Sequence, residues 1–314
     1  MARPWLGALV LLTSIVAQGE RARAEDPTDE AAPVTSRSAP EGIFGPRSGP
    51  PVGVELSIEQ EWKETFVAYP GSVAVNRELA TLWLAAGIDP VFVKLELDAE
   101  SSNYLFQDTR RLLLGTNDPA PETLCQGTAT AKVYVLLDPW VLYVAPCLRF
   151  GGALDAPFGD ALRYGVDVAA RYTVDPDLKL TLGAGTITRL EAHPLFYPIV
   201  GIQYGRLEVD IVGATVLATF GVLPTLDVRF SAGIDYRDFR LPHGSSLPLG
   251  VLRDEDAPVR AGLGWKPITG LEADLDVGAV VWRKLVIDDH LGGIVAKARA
   301  NPGAFVAFKL VLQL

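Results

Sequence analysis

Little in this sequence can be oxidised, metallated or titrated near neutrality. Its 314 residues hold two cysteines, one methionine and three histidines. Two cysteines exclude a disulfide-knitted scaffold and a four-cysteine zinc site. The three histidines, His193, His243 and His290, are scattered and make a poor metal set. Base is in short supply too: 28 Lys and Arg stand against 38 Asp and Glu, a net charge of −10. That balance argues against a broad nucleic-acid surface. No apolar run reaches the ~20 residues of a spanning helix, which excludes a helical membrane protein. Phosphate-cradling glycine loops, dinucleotide fingerprints and Cys-x-x-Cys pairs are missing as well, so no cofactor is implied.

What the chain does have is apolar residue, 49% of the total, too much for a disordered polymer. It opens with Met1-Ala2-Arg3, an apolar run from Trp5 to Ala17 and the small-x-small triplet Ala22-Arg23-Ala24. This is the three-part pattern of a secretory signal peptide, expected to span 1–24 with the cut after Ala24. Residues 25–51 are rich in Pro, Ala, Ser, Thr and acids and lack periodicity, and they read as a disordered periplasmic lead.

From Val52 the pattern changes. Val52-Gly53-Val54-Glu55-Leu56-Ser57-Ile58-Glu59 puts its large apolar side chains on one face of a strand. Segments starting at Val93, Leu162, Leu207, Leu226, Leu271 and Phe308 do the same. Nothing after residue 24 carries a helical stripe. Residues 52–314 are therefore all-β, as either a soluble sandwich with an apolar core or a membrane barrel with its apolar face turned out to lipid.

Turn rhythm separates the two. Tight turns at Gly87–Pro90, Asp138-Pro139, Asp175–Asp177, Gly205-Arg206, Leu223-Pro224 and Pro267–Gly270 alternate with longer connections. The longer ones fall near Lys63–Ser72, Glu100–Thr128, Gly151–Ala161, Leu190–Pro198, Leu241–Pro258 and Lys284–Pro302, with one short bend near Gly213–Thr215 as the exception. Short turns at one end and long loops at the other are the rule for bacterial barrels. Aromatic residues fall at two levels. Trp62, Tyr164, Tyr236 and Trp282 lie near the long-loop end; Trp83, Trp140, Tyr172, Tyr204 and Trp265 lie near the short-turn end. Rings at two levels read as interfacial girdles. The expectation is a transmembrane antiparallel up-and-down meander β-barrel of about 12–14 strands.

On these strands, rims and the terminal segment Ala304–Leu314, the chain resembles a Gram-negative outer-membrane β-barrel protein. Its middle, Pro198-Ile199-Val200-Gly201-Ile202-Gln203-Tyr204-Gly205, looks like uncharacterised barrel families of unknown function. Barrels of this class usually end in an aromatic residue; here the last residue is Leu314, with Phe308 the nearest suitably facing aromatic. The resemblance implies an outer-membrane location, contact with lipid and lipopolysaccharide, and the barrel-assembly machinery as a partner. It implies no activity.

Alternation assigns the lumen charges. Twelve acids are expected to point inward: Glu55, Glu59, Glu96, Asp98, Asp167, Glu208, Asp210, Asp227, Asp235, Glu272, Asp274 and Asp276. Eight bases join them: Lys94, Arg163, Arg171, Lys179, Arg229, Arg237, Arg260 and Lys309. An open lumen of this kind favours cations, whereas a plugged one makes a buried ion-pair network. Folding about Asp138-Pro139 sets Cys147 opposite Thr130 and brings Cys125 to the same end, where a disulfide is expected. Arg253-Asp254-Glu255-Asp256 is expected in a solvated loop, with divalent-cation binding as its alternative. No spacing joins a histidine to a carboxylate and a nucleophile, so catalysis is not expected. The leading expectation is a passive pore for small solutes. A non-conducting structural or surface-binding (adhesin or receptor) barrel is second, and an outer-membrane enzyme third.

Overall fold

A computed structural model of the chain describes residues 52–68, 71–107, 123–242, 245 and 247–313. The expected signal segment, the lead, His243 and Leu314 lie outside the described residues.

Fourteen antiparallel strands follow one another in chain order and close on themselves. β1 is Val52–Glu61, continued by Glu64–Thr65; β2 is Ser72–Ile88; β3 is Val91–Gln107; β4 is Thr123–Leu137; β5 is Trp140–Gly152. β6 is Leu162–Thr173, β7 is Leu178–Arg189, β8 is Ala192–Tyr204, β9 is Leu207–Val212 and β10 is Thr215–Leu223. β11 is Leu226–Ala232 and resumes as Asp235–Arg240; β12 is Val251–Ile268; β13 is Leu271–Asp288; β14 is Ile294–Ala300 and Gly303–Gln313. β1 pairs with β2 on one side and β14 on the other, which shuts the ring. No helix among the described residues is long and apolar enough to cross a membrane.

The pleat sorts the side chains. Across β2 and β3, Leu82 faces Leu97 and Leu84 faces Leu95 on the outer surface. One residue along, Thr81 donates to Asp98 Oδ1 at 2.7 Å on the inner surface. Ile58, Leu97, Leu182, Leu263 and Val277 are half-exposed or more, with Leu182 71% exposed. An apolar belt round a closed wall whose polar groups turn inward is a lipid-facing surface.

Wall height is uneven. β9 is six residues long, about 20 Å, against 18 residues, about 60 Å, for β12 and β13. Gly213, at φ +64°, ends β9 in a two-residue turn with Ala214. Strands at the long-loop end elsewhere run further than the sequence pattern indicates. The expected long connection at Leu190–Pro198 is instead a two-residue turn, Leu190-Glu191, and His193 lies in β8. Arg253–Asp256 belong to β12 and not to a loop, because Asp254 and Asp256 find buried partners inside the barrel.

Candidate functional site

The bore is filled at its long-loop end. Arg283, whose side chain is fully buried, donates from Nη1 to Glu61 Oε2 at 2.6 Å and Glu64 Oε2 at 3.0 Å. Its Nη2 reaches Asp256 at 3.0 Å and its Nε reaches Asp254 at 3.1 Å. Arg77, opposite, donates to Glu59 at 2.8 Å, to Asp254 and Asp256 at 3.2 Å each, and to Glu61. The Tyr104 hydroxyl donates to Asp254 at 2.8 Å. Charges so far from water hold only when paired and hydrogen-bonded. Above them lies an apolar layer of inward side chains, among them Val73, Val75, Leu124, Phe239, Leu252 and Leu285, all at most 3% exposed. Phe66, Ala153 and Leu241 from the connecting loops complete it.

Below this seal the bore is wet. An acidic cavity of about 420 Å³ is lined by seven carboxylates, including Glu208, Asp210, Glu272 and Asp276, against Arg229, Arg260 and Lys309. A mixed cavity of about 340 Å³ on the β2–β5 side holds Lys94, Glu96, Asp98, Lys132 and Arg149, and meets the acidic one at Glu55. Between β5–β8 and the second half of β11 lies a wall cavity of about 560 Å³. It shares Glu100, Gln126 and Arg149 with the mixed cavity. The three spaces are therefore neighbours that share lining side chains.

The wall cavity exists because β11 breaks after Ala232 and leans across the barrel. Its resumed segment still pairs with β12, but Arg240 meets Gly152 of β5 in parallel. Glycine permits this approach: a Cβ on Gly151 would stand 2.3 Å from the Asp238 carbonyl oxygen. Asp238, fully buried, accepts from Arg189 Nη2 at 2.7 Å and Arg163 Nη1 at 3.4 Å. The β7–β8 turn is tied down above, with Arg253 donating to the Leu190 and Glu191 carbonyls and Arg240 to the Glu191 carboxylate.

The ladder register puts Glu55, Glu59, Lys94, Glu96, Asp98, Arg163, Asp167, Arg171 and Lys179 on the inner face, along with Glu208, Asp210, Asp227, Arg229, Asp235, Arg237, Arg260, Glu272, Asp274, Asp276 and Lys309. They are not one site. Arg171 and Glu208 pair at 3.1 Å and Lys132 holds Glu96 at 2.8 Å, while Arg229 joins Glu272 and Asp274. Sequence reasoning missed Glu61, Glu64, Arg77, Asp254, Asp256 and Arg283, which form the seal. For Arg77, alternation within Val73–Arg77 is the signal that was there.

Three expectations need correction. Cys125 and Cys147 are free thiols. Cys147 does sit opposite Thr130, but Cys125 lies five residues from Thr130 on the same strand, opposite Gly152. An odd separation turns the two side chains to opposite faces of the wall, at ~17 Å along it, far beyond disulfide reach. Trp83 is not in a girdle: it is 5% exposed, points inward over Gly53 and lies under Lys94 Nζ, 4.7 Å from the ring centre. Tyr236 lines the wall cavity beneath the Arg189 guanidinium, 5.1 Å away, because β11 has left the wall there. Trp62, Trp140, Tyr164, Tyr172, Tyr204 and Trp265 are exposed, with Trp140 and Tyr172 4.7 Å apart, and Trp282 is half-buried.

A closed fourteen-strand meander with an apolar outside and a charged inside defines a membrane β-barrel of the outer-membrane kind. No family profile matches this sequence, and no curated relative matches it. Among solved structures the chain is similar to an outer-membrane channel from Pseudomonas putida F1, at 10% identity and a TM-score of 0.48, over 93% of this chain and 100% of that one. It is also similar to the Pseudomonas putida toluene transporter TodX, at 9% identity and 0.37, over 85% and 90% of the two chains. The KdgM porin in complex with oligogalacturonate matches at 9% and 0.34, over 81% and 97%.

Proposed function

We propose that this chain is a passive diffusion channel for small solutes in an outer membrane, reached through the secretory signal at its N-terminus. The observation that carries the reading is the set of three neighbouring wet cavities that share lining residues, Glu55 between the first two and Arg149 between the second and third. A tightly filled barrel would not hold them. The carboxylate excess of the acidic cavity favours cations over anions. Outer-membrane lipid and lipopolysaccharide are the surroundings this reading needs, and the barrel-assembly machinery its partner.

The test is single-channel recording of the refolded full chain in planar bilayers. Small, cation-preferring steps are expected; zero current across salts and voltages would end the channel reading. A second reading, a non-conducting barrel that binds at the surface, is favoured by the buried Arg77–Arg283 network across the bore. Silent bilayers containing correctly folded protein would select it.

A further inference from the structure

The seal closes the straight route along the axis, yet the wall cavity lies beside the seal and not beneath it. Its boundary is a gap in the hydrogen-bond ladder. β8 is paired with β9 only from Ile199 to Tyr204, with the Pro198 carbonyl accepting from Gly213 N–H at 2.9 Å, so its first six residues, 192–197, have no ladder partner on that side. The facing edge of the resumed β11, Asp235–Arg240, has no ladder there either beyond the single Arg240–Gly152 contact. The Gly213-Ala214 turn is the sill of this notch and the tied-down β7–β8 turn its lintel. Open strand edges are untenable against lipid unless water or a ligand meets them.

The lining is two-faced. Leu195, Phe196, Pro198 and Ile234 are apolar, and Phe196 is 80% exposed on the outer surface. Tyr197 and Tyr236 add ring faces. Inside, Arg163 and Arg189 are engaged by Asp238, and Arg237 by Glu100, Asp235 and Asp256. Arg149 differs in that no ion pair involves it among the described residues; its Nε, like that of Arg163, is buried without a hydrogen-bond partner. It stands at the junction of the wall and mixed cavities.

We propose that this notch is a lateral binding portal for small carboxylates with an apolar body, the body against Phe196, Ile234 and Tyr236 and the carboxylate on Arg149. The volume of about 560 Å³ is that of a small-molecule pocket, and a guanidinium takes a carboxylate through two parallel N–H donors. The portal deepens the channel reading and rests on it for transport, though not for binding.

The experiment uses the full chain refolded into lipid nanodiscs, with salicylate as the probe and its own fluorescence as the readout. Saturable binding is expected. Arg149→Gln should weaken it about tenfold or more, the loss of a charge-assisted contact, and Arg149→Lys should restore part of that. Ile234→Trp, filling the notch, should abolish it, while Asp276→Asn in the acidic cavity should leave it unchanged. Heat-modifiable gel migration verifies that each variant is folded. Absence of saturable binding by the wild type up to ~10 mM, or unchanged affinity in both Arg149→Gln and Ile234→Trp, overturns the portal. Bilayer current without salicylate binding removes the portal and leaves the channel; salicylate binding without current supports the portal and removes the channel.

Discussion

Arg283 and Glu61, 222 residues apart in sequence, meet inside the barrel through two hydrogen bonds of 2.6 and 3.0 Å. A bulge makes the meeting possible. β12 runs without interruption past Ala257 and Pro258, whose partners on β13 are Trp282 and Val280, leaving Val281 as an extra residue. From Glu272 to Val280 the even residues of β13 point inward; beyond Val281 the odd ones do, and Arg283 arrives in the lumen.

The first prediction concerns that arginine. Arg283→Gln leaves Glu64 without its cation, and Glu61, Asp254 and Asp256 with Arg77 and, at Asp256, Arg237 as the remaining counter-charges. Breaking a buried network from one side costs about 3–5 kcal/mol. The urea midpoint of the folded, heat-modifiable form should fall accordingly, and an unchanged midpoint would show that the seal does not hold the barrel together.

How much of this was legible beforehand follows from the same bulge. Strict alternation from Leu271 reads Arg283 as a lipid-facing residue in phase with Leu275 and Val277, so the centre of the seal was invisible to a period-two argument. Asp254 and Asp256 were hidden for another reason: charges in a row read as a loop when their partners, Arg77 and Arg283, lie elsewhere in the chain. The strand pattern, the turn rhythm at the short-turn end and the strand number were legible because lipid and lumen enforce alternation on every strand. The notch was half-legible, since the short bend at Gly213 broke the parity of turns, but the break in β11 carries no signal beyond Gly233.

The cysteines give a second prediction. With Cys147 on the inner face and Cys125 on the outer, the unreduced, denatured protein should titrate two thiols with a chromogenic disulfide reagent. Gel migration should be the same with and without reductant. A count of zero would mean that the register of β4 and β5 differs from the one described.

Asp289 supplies the pH dependence. Its Oδ1 accepts backbone N–H bonds from Gly293 at 2.8 Å and Leu291 at 2.9 Å, and these hold its carboxyl below the usual carboxylate range. A carboxyl depressed in the folded state supports the 289–293 turn above its unfolded value, near ~3.9, and the support fades as pH falls through the lower, folded value. Amide exchange at Leu291 and Gly293 should stay slow down to the ordinary range and accelerate only below it. Asp289→Ala should remove the protection at every pH.

Selectivity of the wet lumen is the fourth. Asp210 and Asp276 line the acidic cavity, and neither is held in an ion pair among the described residues. Neutralising both, Asp210→Asn with Asp276→Asn, should shift the reversal potential in a potassium chloride gradient toward zero, with little change in the fold, since focused charge sets ion preference. An unchanged reversal potential in a conducting double variant would place the selecting charges elsewhere.

The last prediction bears on which side of the wall is greasy. Leu182 sits in the middle of β7, faces outward and is 71% exposed, between the inward Thr181 and Gly183. On a water-soluble protein, Leu182→Arg is a surface change within about 0.5 kcal/mol of neutral, and it would even improve solubility. In a bilayer the same arginine meets acyl chains at mid-depth and costs about 2–4 kcal/mol. Ser231, by contrast, faces the bore and lines the acidic cavity, so Ser231→Arg adds charge on the wet side and escapes that lipid cost. Refolding yields and urea midpoints in lipid vesicles should therefore fall steeply for Leu182→Arg. If Leu182→Arg instead folds as well as the wild type and stays monodisperse without detergent, the outward apolar belt does not face lipid and the membrane reading fails.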